Sequence, residues 1–330
     1  MKRSRVTALA FAAVCILFAA ASQSRAQIQH ALLAQANTDL QAGEADKAIA
    51  LLSPLPVSGP GAAEAQNLLC RVRITLGQTD AAVKACEAAV RLDPGNSNHH
   101  LWLGRALGDK AGRASFLNAY SLGKRVRAEF EQAAHLDPHN AAALSDLGHF
   151  YMEAPGIVGG GIDKAESIAR QLESIDAARA AQLRGEIAAS RKDFGTAERS
   201  LKQAIAIAAH PAAQWVNLGI FYRGRQRWTD LDAAIHSCYN AAIHDRGSGS
   251  ALYDGAGLLI ENNRDPAFAA KMLETYLAGT SLTEEGPAFV AHTRLGHLKQ
   301  QLGDAAGAQR EFDLARSMAH EYNPAQDLKH

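Results

Sequence analysis

Gln182-Leu-Arg-Gly185 and Val216-Asn-Leu-Gly219 place two glycines 34 residues apart, each inside a stretch of helical periodicity. The Leu-Gly pair of the second, for which the first has Arg184-Gly185, recurs in Leu101-Trp-Leu-Gly104, Ser145-Asp-Leu-Gly148 and Thr293-Arg-Leu-Gly296. A second marker closes each unit. Val90-Arg-Leu-Asp-Pro94 and Ala134-His-Leu-Asp-Pro138 are near copies 44 residues apart, one period plus ten residues. A third marker is a turn: Gly43-Glu44, Gly77-Gln78 and Gly303-Asp304 are each followed by alanine at the fifth position, Ala48, Ala82 and Ala308. Self-similarity at this period predicts a stack of identical supersecondary units. Hydrophobic residues make up 47% and aromatics 6%, with alanine prominent, which predicts an all-α chain.

These residues resemble the tetratricopeptide repeat, in which small residues sit where two helices touch. The glycine of helix A lets helix B approach, the alanine early in helix B meets it, the turn glycine supplies a left-handed backbone, and proline ends the unit. The resemblance implies a right-handed solenoid of about eight helix-turn-helix units over 29–322: 29–62, 63–96, 97–140, 141–177, 178–211, 212–248, 249–288 and 289–322. A short tail, 323–330, follows. Two insertions break the rhythm and are expected as loops: Gly108 to Asn118 in the third unit and Glu153 to Asp163 in the fourth. The latter is similar to a loop of certain exported bacterial tetratricopeptide proteins of unassigned activity.

Residues 1–26 have the layout of a secretory signal peptide. Lys2, Arg3 and Arg5 precede an apolar run from Val6 to Ala21, and Ser24-Arg25-Ala26 offers small residues at −3 and −1. The expectation is cleavage and a periplasmic or secreted protein, with an uncleaved anchor as the alternative. No second apolar run approaches the ~20 residues of a membrane span. The whole chain has 34 basic and 34 acidic residues; removing the first 26 leaves 30 basic residues and a net charge of about −4. That balance argues against a nucleic-acid partner, which needs a basic face.

Motifs that carry chemistry are weak. Gly156-Ile-Val-Gly-Gly-Gly161 has Ile162 where a phosphate loop has lysine, and a helix rather than a strand precedes it. Gly247-Ser-Gly249 reads as a linker. The 13 histidines form no His-Glu-x-x-His pair, and no Cys-x-x-Cys occurs. His292 and His297 fall on different helix faces. Glu284-Glu285 beside Pro287 suits a helix start. No catalytic group, metal or cofactor is expected. Three cysteines remain after cleavage. Within the implied fold Cys70 and Cys86 lie on facing helices of one unit, compatible with a disulfide in an oxidising compartment or with two buried thiols. Cys238 has no partner.

In the family, defined helix A positions line an inner groove. Carried over, they are Asn67 and Arg71 in the second unit, Trp102 and Arg105 in the third, Asp146 and His149 in the fourth, and Gln182 and Glu186 in the fifth. The last three units give Asn217 and Arg223, Tyr253 and Asp254, and Arg294 and His297. This mixed lining suits a peptide or protein partner of complementary charge. The expected function is a non-enzymatic interaction scaffold. Alternatives are an obligate accessory subunit of an envelope enzyme or secretion complex, and a cell-wall or polysaccharide binder using Trp102, Trp228 and Tyr253. Oligomeric state is not legible in the sequence.

Overall fold

The computed structural model describes residues 27–280 and 282–323. The expected signal segment, and 324–330 of the tail, lie outside them. All regular structure among the described residues is helical. Eight antiparallel hairpins follow one another: α1 (27–41) with α2 (Ala45–Leu52), α3 (Ala62–Thr75) with α4 (Thr79–Leu92), and α5 (Ser97–Gly112) with α6 (Phe116–Leu136). Next come α7 (Ala141–Glu153) with α8 (Ile162–Leu172), α9 (Ala177–Ser190) with α10 (Phe194–Ile207), and α11 (Ala212–Gly224) with α12 (Trp228–Ala242). The last two are α13 (Ala251–Glu261) with α14 (Pro266–Ala278) and α15 (Ala288–Gln301) with α16 (Ala305–Met318). From α3 to α11 each first helix touches both its own partner and the first helix of the next hairpin, so these helices form the inner layer.

The Leu-Gly glycines lie where that packing is tightest. A Cβ on Gly148 would come 2.5 Å from Leu183 of the next hairpin, and one on Gly185 would come 2.8 Å from Leu201 of its own. Several of the turns between paired helices use a left-handed residue. Gly77 fills the position with φ 69°, but Lys192 (φ 64°) and Gln226 (φ 55°) fill it elsewhere. The backbone bonds are the same in both cases: Gln78 donates to Arg73 and Asp193 to Ala188, each at 2.9 Å. The Leu-Asp-Pro endings link neighbours, since Asn140 caps α7 by accepting from Ala143 and donates to Ser97 of the preceding hairpin at 2.9 Å.

Two sequence expectations need correction. The ten extra residues of the third unit are not a loop. They lengthen α5 to 16 residues and α6 to 21, leaving only 113–115 as connection. Helix-favouring Ala, Leu, Lys and Arg on both sides outweigh Gly108 and Gly112. The tip of this spur exposes Phe116 (81%) and Leu117 (80%). The fourth unit does carry a loop, but a compact one: a 3-10 turn, Gly156–Val158, whose Val158 side chain packs on α6. The amides of Gly159 and Gly161 are used internally, Gly159 donating to Gly156 at 2.9 Å and Gly161 to Tyr151 at 2.7 Å.

The second correction concerns the ends. Stacked units imply a curved rod with an open inner surface; here the rod closes on itself. One apolar core runs from Leu201 in α10 through α16 and continues into Ala36, Leu40, Ala48 and Leu52 of the first hairpin and Leu68 and Val72 of α3. A second core joins α3 to α9. Polar contacts fasten the seam. The His320 backbone and ring each reach Asp46, at 3.0 and 2.8 Å, Arg73 pairs with Glu321 at 2.6 Å, and Arg71 pairs with Glu284. These contacts span more than 200 residues of sequence, which no local pattern encodes.

Candidate functional site

Closure turns the inner surface into a funnel of about 1080 Å³. Its wall is built by α3, α5, α9 and α11, completed by the linkers around Gly247–Ser250 and Thr283–Glu285. Helical spacing brings one face of each inner helix to the cavity: Asn67 and Arg71 stand four apart on α3, and Asn98, Trp102 and Arg105 follow on α5. Gln182 of α9 and Gln214 and Asn217 of α11 supply amides on the far side.

The cations of the funnel are engaged. Arg71 makes a forked contact with Glu284, Nε to Oε2 at 2.9 Å and Nη2 to Oε1 at 2.5 Å, and also donates to Asn37 at 3.2 Å. Arg105 donates to Asp146 at 2.6 Å. Both guanidiniums lie over the Trp102 ring, 5.2 and 4.6 Å from its centre. Beside them, the Asn67 side chain is buried with its Oδ1 lacking a hydrogen-bond partner. Thr283 Oγ1 is in the same condition on the opposite side.

Six of the sequence candidates therefore meet at one cavity: Asn67, Arg71, Trp102, Arg105, Gln182 and Asn217. The others do not line it. Asp146 serves Arg105. His149 bonds Glu186 at 2.9 Å, a contact that raises the His149 pKa, and Glu186 borders a smaller cavity of about 170 Å³. Arg223 pairs with Glu261 at 2.8 Å. Tyr253 is buried under Arg294, whose guanidinium lies 4.5 Å from its ring centre. His297 packs edge-on to Phe312. In the later hairpins the family positions leave the funnel: Tyr253 packs in the C-terminal core, while Asp254 and His297 are exposed away from the funnel. Asp254 is solvent-accessible and accepts from Ser250, which borders the funnel. Desolvation by the surrounding protein pushes its carboxyl up to about 6, against the pull of Ser250 and Arg294.

Sequence reasoning missed Glu284. It reads as an ordinary acid at a helix start, yet it is buried at the seam. Only the meeting of the two ends gives it a partner. Cys70 and Cys86 form a disulfide between α3 and α4 with Cα atoms 5.2 Å apart. Cys238 is a buried free thiol pushed up to about 12 by desolvation. Among the described residues no cluster of three or more His, Cys, Asp or Glu gathers as a metal site, and no helix is long and apolar enough to cross a membrane.

The family comparison agrees with this architecture. Residues 33–97 and 71–120 match the tetratricopeptide repeat family. No curated protein matches the sequence. Among solved structures, a thermophilic tetratricopeptide protein of Thermus thermophilus is similar at 18% identity, covering 58% of this chain and 98% of its own, with a TM-score of 0.49. PilF of Pseudomonas aeruginosa shows 14% identity, 75% and 95% coverage and a TM-score of 0.41. A tetratricopeptide protein of Parabacteroides merdae shows 15% identity, 78% and 93% coverage and a TM-score of 0.36. The family is matched over the first hairpins, and the same glycine-packed helical-hairpin build continues through α16, so the fold is that of a tetratricopeptide-type solenoid.

Proposed function

We propose that the chain is a non-enzymatic scaffold that holds a peptide segment of a partner protein in its central funnel, in the periplasm or outside the cell. One observation carries the reading: four inner helices converge on a cavity of about 1080 Å³ lined by amides, two arginines and a tryptophan. Amides and guanidiniums at fixed spacing suit a peptide backbone with polar side chains. Fold alone would not select this role, since solenoids serve many. The exported location is supported by the signal-like layout of residues 1–26 and by the Cys70–Cys86 disulfide, a bond that persists in oxidising compartments. The polysaccharide alternative is weakened because Tyr253 is buried and Trp102 already receives two guanidiniums.

The test is affinity capture of the chain from an envelope fraction, followed by hydrogen exchange on the recovered complex. Protection of α3, α5, α9 and α11, and loss of capture in Trp102→Ala with Arg105→Glu, are expected. A partner that protects only the outer helices, or none recovered in any fraction, would overturn the reading.

A further inference from the structure

The Arg71–Glu284 pair is an unusual joint for a solenoid. The two side chains are 13% and 6% exposed, 213 residues apart in sequence, and connect the second hairpin to the segment that leads into the last. Glu284 does not come from a helix. It arrives on the connection between α14 and α15, and Gln41 holds that connection at both ends of the residue: Gln41 Nε2 donates to Glu284 Oε1 at 3.0 Å, and the Glu284 amide donates to Gln41 Oε1 at 3.2 Å. A buried ion pair of this kind adds little stability over an apolar contact, because desolvating both charges offsets their attraction. Its use lies in what can replace it.

Glu284 is also an incomplete occupant. It satisfies Arg71 but leaves Asn67, 3% exposed and one turn away on the same face of α3, with an unpartnered Oδ1 bordering the funnel. Its neighbour Thr283 likewise keeps an unpartnered Oγ1 there. A peptide with a carboxylate side chain and a backbone N–H would fill both needs at once: carboxylate on Arg71, N–H on Asn67. The second cation, Arg105, shares Trp102 with Arg71 and is held by Asp146 in a partly exposed pair, so a second carboxylate along the peptide has a place to exchange.

We propose that Arg71 and Asn67 form a binding site for an acidic peptide, that Glu284 is the chain's own stand-in for the ligand carboxylate, and that binding displaces Glu284 and opens the seam. This rests on the scaffold reading and deepens it by naming the ligand's chemistry. A tethered competitor has a high effective concentration, so a single free carboxylate loses to it, whereas a peptide with several in series gains by multivalency. Because Glu284 and Gln41 hold opposite sides of the seam, exchange at Arg71 removes seam contacts, which couples binding to opening.

The experiment uses the full chain with fluorescein-labelled hexaglutamate and hexaglutamine peptides, read by anisotropy, with circular dichroism to confirm folding. Glu284→Gln is expected to bind hexaglutamate at least tenfold more tightly than wild type, and adding Arg71→Gln is expected to abolish the gain. Gln41→Ala, which loosens the occupant without touching a charge, should shift affinity the same way by a smaller factor and covers the case in which the Glu284 variant does not fold. Unchanged hexaglutamate affinity in both variants, or equal gain for hexaglutamine, overturns the inference. If neutral or basic peptides bind the funnel while the acidic one does not, this inference fails and the scaffold reading stands. If no peptide binds and no partner is captured, the scaffold reading fails too.

Discussion

Gly43 in the first hairpin lies against Ala288 at the start of the last, so close that a Cβ on the glycine would fall 2.5 Å from the Ala288 backbone nitrogen. Gly43 also has φ 74°, a conformation that strains any other side chain. Gly43→Val is therefore expected to pry the seam apart, at a cost of about 2 kcal/mol from strain and overpacking. Small-angle scattering should show a larger radius of gyration; an unchanged profile with unchanged melting would contradict end-to-end closure.

Lys192 and Gln226 occupy left-handed turn positions that glycine fills elsewhere. Lys192→Gly and Gln226→Gly should each stabilise the chain by about 1 kcal/mol, relief of strain outweighing the added freedom of the unfolded chain. Urea titrations will decide it, and destabilisation by either substitution would refute the assignment.

The disulfide between Cys70 and Cys86 closes a short loop inside the second hairpin. Replacing both with serine is expected to cost about 3 kcal/mol, felt first as faster hydrogen exchange in α3 and α4. In the same chain Cys238, buried with its thiol near 12, should resist alkylation until the protein is denatured. Rapid native labelling of one thiol would show that the C-terminal core is looser than its packing implies.

Stability should decline as pH rises from about 4 through the raised histidine values on account of three groups. Hydrogen bonds donated to Glu186 and Glu129 raise His149 and His100 above 6.5, so their contribution is complete below 6.5 and is lost as pH passes the raised values. Asp254, raised from 3.8 to about 6 by desolvation, adds a loss in the same direction between those two values. Asp254→Asn should recover about 1 kcal/mol at pH 7, a figure discounted because the side chain reaches solvent. Melting curves across this range that keep the wild-type slope in the variant would remove Asp254 from the account.

The repeating part of the molecule was legible because its cause is local and periodic. Gly148 and Gly185 sit where neighbouring side chains leave no room for a Cβ, and the Leu-Asp-Pro endings fall where helices stop. Lys192 and Gln226 show the limit: when a left-handed position is not glycine, its signal disappears from the sequence. The third-unit insertion misled because a ten-residue addition can be absorbed as three turns of helix shared by two neighbours as readily as by a loop. Arg71, Trp102 and Asn67 were found by position within a repeat. Glu284 was not, since its role depends on where the last unit meets the second, a sum of small rotations accumulated over the intervening hairpins.

An open solenoid can gain or lose a unit at either end at the cost of one interface. A closed one cannot. Deleting or duplicating any hairpin here would leave Asp46 and His320 unable to meet, so copy number is fixed by geometry and not only by descent. The first and last hairpins shield each other where open arrays need dedicated polar caps. The same joining of ends makes the molecule suited to circular permutation: new termini cut at the 113–115 connection of the spur, with a linker bridging residues 323 and 27, should give a chain that still folds to the same circle.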